Sequence, residues 1–393
     1  MRILHVTYIF PPIAEVADGI TQVVYGLTRT LAKKGHDVTV YASDALGLHG
    51  KGRTEIGNSP AYIDGVKVRY FPYLLRYGTI FFTPSMFYSV RDEIKEFDVI
   101  HIHDARCLQC AITTYYAELF SIPIVFQPHG SFKSPFPSGR LRKFSRLFID
   151  TLYAEKVFEK ASKIVALSQM EAEQYRGMGV SEEKIEVIPN GIDLSEYGDL
   201  PPKGAFKKKF GIDDDEKIVL YLGRIHRIKG IDILVKAFAD IVKKLEEVKL
   251  VVVGPDDGYL GELEVLINAL NMEDNMLISG PLYGRDKLEA YVDADVYVLP
   301  SRYEIWGMTV LEAVACGTPV ILTENCGMAK YLRDKVGLVV KPDSNHLSEA
   351  LLEILLNYKR RSIFRENCKA VIEKFNISNT VSELEKVYGE LVK

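Results

Sequence analysis

The spacing of apolar residues constrains the fold of this chain more than any other feature of its sequence. Short runs rich in β-branched residues alternate with longer stretches whose apolar residues recur at helical spacing, such as residues 19–34. The first seven strand-like runs cover residues 3–6, 37–41, 66–70, 99–102, 124–126, 163–166 and 185–188. Strands that are separated by helices form βαβ units, so the pattern predicts a parallel sheet covered by helices.

The same alternation starts again after a polar, turn-rich stretch at residues 201–204, which is the best linker candidate. The later strand-like runs cover residues 218–222, 249–253, 275–278, 296–299 and 318–321, and a helix is predicted at 232–245. With 393 residues, the chain is long enough for two domains.

The predicted fold class is therefore α/β, with two Rossmann-like, doubly wound parallel-sheet domains that face each other across a cleft. We assign residues 1–195 to the first domain and residues 196–374 to the second. The last stretch, residues 366–393, is predicted to be helical. Its final part, residues 375–393, would cross back to the first domain.

Composition excludes several classes of protein. The 49 Lys and Arg residues against 53 Asp and Glu leave a net charge of −4, whereas a protein that binds nucleic acid needs a basic excess or a basic face. No run of about 18 apolar residues is present, and the first residues lack the features of a secretory signal. Five dispersed cysteines fit a reducing cytoplasm better than a disulfide framework, and scarce glutamine hints at a thermophile.

Ligands of open parallel sheets bind at the carboxyl ends of the strands, so the loops after strands carry the candidate residues. Neither a G-x-G-x-x-G nor a G-x-x-x-x-G-K-[ST] motif is present, so neither a nicotinamide cofactor nor a P-loop nucleotide is indicated. The loop after residues 218–222 places Arg224 and Lys229 between Gly223 and Gly230. Glycines let the backbone approach a diphosphate and the cations neutralise it; a solvated basic loop is the alternative.

Two glutamates lie in and after the loop that follows residues 296–299. Glu304 precedes a helix that is predicted to start near Gly307, and Glu312 lies about two turns into that helix. The start of a helix suits an anion, and a carboxylate accepts hydrogen bonds from paired sugar hydroxyls. The two glutamates would therefore hold both sugars of a nucleotide sugar. In the alternative interpretation, Glu304 caps the helix and Glu312 makes a surface ion pair.

These residues resemble the motifs of a known family. Glu304 and Glu312, with seven residues between them, resemble the E-x7-E motif of retaining glycosyltransferases with the GT-B fold, and most of all glycosyltransferase family 4, also called glycosyl transferase group 1. Residues 223–230 are similar to that family's phosphate-binding loop, residues 189–193 to its PNGxD segment and residues 127–130 to its HG motif. Asp18 replaces the first of the two glycines that members usually carry.

The resemblance implies a role for each matching residue. Arg224 and Lys229 would neutralise the diphosphate of the donor, Glu312 would hold its ribose and Glu304 the transferred sugar. The residues implied in catalysis are His129, Arg224, Lys229 and Glu304. The residues implied in donor binding are Gly19, Gly223, Arg224, Lys229, Leu282, Glu304, Trp306, Gly307, Met308, Thr309 and Glu312. The residues expected on the acceptor side are Asp18, His103 and Asn190.

The implied reaction transfers a hexose from a nucleoside-diphosphate sugar to a hydroxyl with retention of anomeric configuration. Fixed donors would stabilise the leaving diphosphate, so the resemblance implies neither a metal nor a cofactor. Acceptor attack on the face from which the phosphate departs would let a phosphate oxygen take the acceptor proton. Two alternatives remain: a nucleotide-sugar epimerase of the same fold, and a non-catalytic sugar-nucleotide sensor.

Three other motifs favour structural interpretations. Cys107 and Cys110 form a lone C-x-x-C, which favours buried helix cysteines over a zinc or redox site. His101 and His103 share one strand face and would suit a metal, but a polar strand end near the acceptor is favoured. The acidic runs 213–215 and 256–257 are interpreted as loop residues rather than as magnesium ligands.

The acceptor itself is left open as a free sugar, a sugar phosphate or a lipid-linked glycan. Residues 133–148 mix basic and apolar residues in an amphipathic pattern that suits a membrane surface or a lipid-linked acceptor. An interior helix face with extended cationic side chains is the alternative interpretation. We expect a cytoplasmic protein, in contact with the inner membrane surface in the first case, and no nucleic-acid partner.

Overall fold

The computed structural model describes residues 1–11, 19–46, 52–54, 60–77, 80–104, 107–131 and 155–392. The chain forms two compact units. The first consists of Met1–Gly191 together with Ile377–Lys393, and the second of Ile192–Asn376. Asp18 and the amphipathic segment 133–148 were singled out in the sequence but lie outside the described residues.

The first unit is built on a mostly parallel sheet. Its described strands are β1 (Arg2–Val6), β2 (Asp37–Ser43), β3 (Ala61–Ile63), β4 (Val66–Phe71), β5 (Leu75–Tyr77), β6 (Ile80–Phe82), β7 (Val99–His103), β8 (Ile124–Gln127), β9 (Lys163–Ala166) and β10 (Ile185–Val187). The order in the large sheet is β10-β9-β8-β7-β1-β2-β4-β3, and only β3 runs antiparallel to its neighbour among these described strands. Strands β5 and β6 form a separate antiparallel pair.

Helices cover this sheet and bury their apolar sides. The described helices of the first unit are α1 (Gly19–Lys33), α2 (Pro84–Glu93), α3 (Leu108–Leu119), α4 (Glu155–Lys160), α5 (Gln169–Arg176) and, from the end of the chain, α14 (Ile377–Leu391). Val23, Val24, Leu27 and Leu31 are buried on one side of α1, as helical spacing requires. Central strands such as β1 and β7 are buried along nearly their whole length, which is typical of a sheet covered on both faces.

The second unit repeats the architecture with an all-parallel sheet. Its strands are β11 (Lys217–Leu222), β12 (Val248–Val253), β13 (Met276–Gly280), β14 (Val296–Leu299), β15 (Val320–Thr323) and β16 (Gly337–Val340), in the order β13-β12-β11-β14-β15-β16. Its helices are α6 (Ala205–Phe210), α7 (Ile231–Val242), α8 (Leu260–Ala269), α9 (Gly284–Asp293), α10 (Met308–Ala315), α11 (Ala329–Leu332), α12 (Ser344–Leu356) and α13 (Tyr358–Ile372). The predicted fold of two Rossmann-like parallel-sheet units is confirmed.

Two groups of elements differ from the prediction. Strands β3, β5, β6 and β16 were not predicted, and each has only three or four residues. The helix expected through residues 366–393 is interrupted, since a short 3-10 turn at Glu373–Phe375 separates α13 from α14. At this interruption the chain passes from the second unit to the first.

The cysteines correct one expectation. Cys107 and Cys110 are joined by a disulfide, so the preference for reduced thiols does not hold for this pair. Side chains three residues apart at a helix start lie on the same side, which brings the two sulfurs together. Cys107 is the N-cap of α3, and its sulfur also accepts from the Cys110 amide at 3.2 Å. Cys316, Cys326 and Cys368 are free and buried.

Helix length and composition also bear on membranes. Throughout the ranges that the structure describes, no helix is both long and apolar enough to cross a bilayer.

Candidate active site

The loop after β11 brings a cation close to the loop after β14. It ends in a 3-10 turn, Arg227–Lys229, which Gly230 closes with a φ of 68°. A Cβ atom at Gly230 would overlap the carbonyl oxygen of Pro300, directly after β14. Only glycine therefore satisfies both the left-handed backbone and the close approach of the two loops. This approach brings Lys229 near the residues that follow β14.

Lys229 and Glu304 meet through this contact and form an ion pair between Nζ and Oε2. Their side chains are 18% and 15% exposed, so the pair is mostly shielded yet reachable from solvent. The hydroxyl of Ser301 also donates to Glu304 Oε2, at 3.5 Å. The structure thus unites the cation expected at the diphosphate with the carboxylate expected at the transferred sugar.

The backbone around Glu304 is held by the loop after β15. The Glu304 amide donates to Asn325 O at 3.0 Å, and Glu304 O accepts from the Gly327 amide at 2.9 Å. Gly307, with a φ of 78°, is the N-cap of α10, and no side chain from that position caps the helix. The alternative in which Glu304 serves only as a helix cap therefore does not hold, because its carboxylate pairs with Lys229 instead.

The predicted residues at the start of α10 differ in burial. The indole of Trp306 is buried and packs edge-on against Tyr331 and Phe375. Met308 and Thr309 are half-buried, and the Thr309 hydroxyl accepts from the Tyr297 hydroxyl at 2.7 Å. At this helix start, therefore, the Trp306 ring belongs to an aromatic cluster, while the backbone around Gly307 is less buried.

Glu312 is buried rather than on the surface, at 6% exposure. Its Oε1 accepts from Lys287 Nζ and its Oε2 from the Tyr291 hydroxyl, each at 2.9 Å. Both partners belong to α9, and the sequence reasoning missed them, although their spacing of four residues puts them on one helix face. A carboxylate has about four acceptor positions, so this arrangement still leaves Glu312 able to accept from sugar hydroxyls.

A second ion pair, which the sequence reasoning also missed, connects the loops after β11 and β14. Arg302 donates to both carboxylate oxygens of Asp232 at 2.7 and 2.6 Å, and its amide donates to Ile228 O at 2.9 Å. Burial alone would raise the pKa of Asp232, but hydrogen bonding to Arg302 and its charge lower that pKa overall. A bidentate Arg–carboxylate pair is directional, so it fixes the Lys229 loop relative to the Glu304 loop.

The other predicted residues of the second unit are more open or already engaged. Arg224 is exposed and pairs with Asp257, and Leu282 is half-buried after β13. Gly223 has a φ of 155°, which favours glycine. Asp256 accepts from the amides of residues 258–260, at 2.9 to 3.0 Å, in the turn before α8. The interpretation of Asp256 as a loop residue agrees with this geometry.

In the first unit, the loop after β8 carries His129 and Gly130 in left-handed conformations, with φ values of 55° and 73°. A buried carboxylate holds this loop: Glu171 accepts from the amides of Gly130 and Leu167, both at 2.7 Å. Burial raises the pKa of Glu171. The sequence reasoning missed Glu171, although Ser168 and Glu171 have the spacing of a helix capping box.

His103 is fully buried, and both of its ring nitrogens are hydrogen-bonded. Its Nδ1 lies 2.9 Å from His129 Nε2, and its Nε2 lies 2.9 Å from His5 Nδ1. Burial lowers the pKa of His5 and of His129 to about 3, so both rings are neutral at neutral pH. The sequence reasoning did not single out His5, which lies on the neighbouring strand β1.

The remaining residues of the first unit lie at two further places. Asn190 is buried, and its Oδ1 accepts from Gln127 Nε2 at 3.1 Å, which ties the 189–193 segment to the end of β8. Gly19 is exposed at the start of α1, with no atom within 4 Å of where a Cβ would lie. The acceptor-side roles of His103 and Asn190 stay predictions.

Comparison with known proteins gives two family matches that together span most of the chain. Residues 202–371 match the family described as Glycosyl transferases group 1, and residues 17–196 match Glycosyltransferase Family 4. An uncharacterized glycosyltransferase from Methanocaldococcus jannaschii is 28% identical over 403 residues, 99% of this chain and 98% of that protein. A D-inositol 3-phosphate glycosyltransferase from Xylanimonas cellulosilytica is 26% identical over 427 residues, 100% and 96% of the two chains.

A solved structure gives the same fold. HepE from Anabaena, in complex with UDP and glucose, superposes with a TM-score of 0.77 at 18% identity, over 99% of this chain and 100% of that one.

Proposed function

Because the chain belongs to the group 1 and family 4 glycosyltransferases and has their GT-B fold, we propose that it is a retaining, metal-independent enzyme. It transfers a hexose from a nucleoside-diphosphate sugar to a hydroxyl acceptor. One observation carries the proposal: the Lys229–Glu304 pair and the buried Glu312 flank the same short helix, α10. Cation, carboxylates and helix start together match the charges and hydroxyls of such a donor.

The donor is held by an exchange of partners at Lys229. The ammonium group of Lys229 turns from Glu304 to the diphosphate, which leaves the Glu304 carboxylate to accept from hydroxyls of the transferred sugar. The exposed Arg224 supplies a second cation, and the start of α10 supplies backbone amides. Glu312 accepts from the ribose hydroxyls while Lys287 and Tyr291 keep its carboxylate in place. The structure of HepE with UDP and glucose supports a donor of this chemical class.

Transfer breaks the bond between the anomeric carbon and the phosphate oxygen and forms a bond to the acceptor oxygen on the same face. The acceptor proton passes to the departing phosphate oxygen. Arg224, Lys229 and the start of α10 stabilise the charge that develops on the leaving diphosphate, and such preorganised donors are a main source of catalysis. No protein nucleophile is required, unlike the second carboxylate of retaining glycoside hydrolases.

The acceptor is a hydroxyl compound that the first unit binds. The relative from Xylanimonas is named for D-inositol 3-phosphate, which is a phosphorylated polyol. That name supports a phosphorylated or free polyol or sugar as the first class of acceptor to test. A lipid-linked glycan is the second class, on the strength of the basic amphipathic segment 133–148.

The decisive experiment starts from ligand-induced stabilisation. The melting temperature is measured with UDP, GDP and ADP and with their sugar conjugates, because a specific ligand stabilises the folded state by about 2.7 kcal/mol at 100 times its Kd. The sugar nucleotide that stabilises the protein most is then prepared with a labelled sugar and incubated with candidate acceptors. The anomeric configuration of the product is determined by NMR.

Each outcome of this experiment separates the proposal from its alternatives. Formation of an α-linked product from an α-configured donor supports the proposal. Conversion of the donor to an epimer without any acceptor would identify an epimerase. Binding without turnover or donor hydrolysis would identify a sensor. Activity that disappears with EDTA and returns with a divalent cation would exclude the metal-independent mechanism.

A further inference from the structure

Three histidines on neighbouring segments of the first unit form a continuous chain of hydrogen bonds. His5 Nδ1 lies 2.9 Å from His103 Nε2, and His103 Nδ1 lies 2.9 Å from His129 Nε2. The rings of His5 and His103 are stacked with an interplanar angle of 11°, and those of His103 and His129 with an angle of 26°. His5 and His103 are fully buried, whereas His129 at the end of the chain of rings is half-buried.

Counting protons leaves only two arrangements for the three hydrogen-bonded histidines. A neutral imidazole has one N–H and one lone pair, so each hydrogen bond needs a donor on one ring and an acceptor on the next. Either every Nδ1 carries the proton, and His5 donates to His103, which donates to His129. In the other arrangement every Nε2 carries the proton, and His129 donates to His103, which donates to His5.

The two end atoms decide between these arrangements. His5 Nε2 and His129 Nδ1 are buried and have no partner among the described residues. With protons on Nε2, His5 would bury an N–H that has no acceptor, and an orphaned buried donor is the rarer defect. With protons on Nδ1, His5 keeps only a lone pair at Nε2, and the unpartnered N–H is that of His129, whose ring is half-buried and where a ligand oxygen can accept it.

We propose that His103 and His5 are positioning residues that hold His129 in its Nδ1-protonated form, so that Nδ1–H can donate to an oxygen of the substrate that the first unit binds. That a substrate binds there at all rests on the proposed function. The hydrogen-bond chain itself exists without it. His103 therefore acts through His129 and not by contact with the acceptor.

A metal ion is the competing occupant of this cluster. Ring nitrogens of His5, His101 and His103 all lie within 4.8 Å of one another. A divalent cation would need lone pairs from His5 and His103 and would break the hydrogen bond between them. The Nδ1 of His101 lies 2.6 Å from the Tyr388 hydroxyl, while its Nε2 has no partner among the described residues. The hydrogen bonds engage both nitrogens of His103, so a cation could take His103 as a ligand only by breaking one of them.

The direct test reads the tautomer of His129. Protein labelled with ¹⁵N-histidine is studied by long-range ¹H–¹⁵N NMR, which distinguishes Nδ1–H from Nε2–H, and His129→Gln assigns the signals. We expect Nδ1–H in the wild type and a shift toward Nε2–H in His103→Leu. The same tautomer in both proteins overturns the proposal. This readout needs no substrate, so it stands apart from any failure of the proposed function.

Kinetics then separate positioning from a merely structural role. In His103→Leu we expect kcat to fall about tenfold, because His129 no longer presents an oriented N–H group. The KM for the sugar nucleotide should change less than about threefold. His103→Asn places an amide near the position of Nδ1, so it should recover part of kcat. If His103→Leu does not fold, His5→Leu removes the preceding link and should shift the tautomer in the same direction. An unchanged kcat in a folded His103→Leu, or one equivalent of zinc in the purified wild type, overturns the proposal.

Discussion

Lys229 and Glu304 form an ion pair between loops that lie 75 residues apart in sequence. A partly buried cation of this kind is costly to leave unpaired, so the carboxylate keeps it in place. The exposed Arg224 and Arg227 on the same loop have no comparable shielding. At the scale of single residues, position rather than charge therefore distinguishes Lys229.

Lys229→Ala tests this distinction. We expect kcat/KM for the sugar nucleotide to fall by about 10²–10³, because a preorganised ammonium group that hydrogen-bonds to the leaving group is lost. Arg227→Ala is the matched control, since it removes a cation from the same 3-10 turn with its side chain exposed. Its kcat/KM should stay within about threefold of wild type. Equal losses in the two variants would show that only the overall charge of the loop matters. Steady-state kinetics of both variants provide the measurement.

Glu171 is a buried carboxylate whose pKa is raised by burial, and it gives a prediction about pH. The folded protein holds this proton more tightly than the unfolded chain does. The stability that results is fully present below the ordinary glutamate pKa and is lost as the pH rises through the raised pKa. We expect the free energy of unfolding of wild type, relative to Glu171→Gln, to fall as the pH rises above 4.5. Urea unfolding at a series of pH values measures it.

Glu173→Gln is the control for this prediction, because Glu173 lies exposed on the same helix, α5. The difference in the free energy of unfolding between wild type and Glu173→Gln should vary less across the series than the difference between wild type and Glu171→Gln. A constant difference between wild type and Glu171→Gln would contradict the assignment to Glu171.

At the scale of elements, glycines set how closely the loops of the second unit approach. Gly230 closes the turn Arg227–Lys229 and begins α7, and its missing side chain lets that turn lie against Pro300. The sequence showed a glycine after Lys229 but not what lay opposite it. The contact between the two loops, which joins Lys229 to Glu304, therefore depends on a backbone approach that only glycine allows.

Gly230→Ala and Gly211→Ala separate the close contact from the cost of backbone conformation. The two glycines have φ values of 68° and 65°, but nothing lies within 4 Å of where a Cβ at Gly211 would be. Gly211→Ala should reduce the free energy of unfolding by about 1–2 kcal/mol, the usual cost of a left-handed residue. Gly230→Ala should lose more than this and should also weaken donor binding. Urea unfolding and donor titration measure both, and equal losses would contradict the contact with Pro300.

At the scale of the whole molecule, the first unit is not continuous in sequence. It takes α14 from the end of the chain, and this helix packs on α1 with Val381, Leu384, Val387 and Tyr388 buried. Each such side chain contributes about 1.5–3 kcal/mol by leaving water. Together they are comparable with the total stability of a typical domain, about 5–15 kcal/mol.

Removal of residues 377–393 should therefore unfold the first unit and spare the second. We expect amide hydrogens of β1 and β7 to exchange freely in the truncated chain, while those of β11 and β14 stay protected, because α14 belongs to the first unit. Hydrogen exchange read by mass spectrometry measures this. Deletion of residues 392–393 alone is the control and should leave both units protected. Equal loss of protection in both units would contradict their independence.

The sequence by itself determined the parts of this protein that depend on residues close together in the chain. Alternating strand and helix patterns predicted the two parallel-sheet units, because periodicity reports which side of each element is buried. The glutamate pair and the basic loop were recognisable for the same reason, since each motif lies within a single loop and helix.

Only the tertiary structure decided which of these residues have partners. His5 and His103 are 98 residues apart, and Lys287 reaches Glu312 across 25 residues. Glu171 reaches Gly130 over 41 residues. Such contacts depend on strand order, on register and on how closely two loops approach, and none of these leaves a periodic signal in the chain. The sequence therefore identified the chemical groups of the candidate site, and the packing of the fold determined which of them act together.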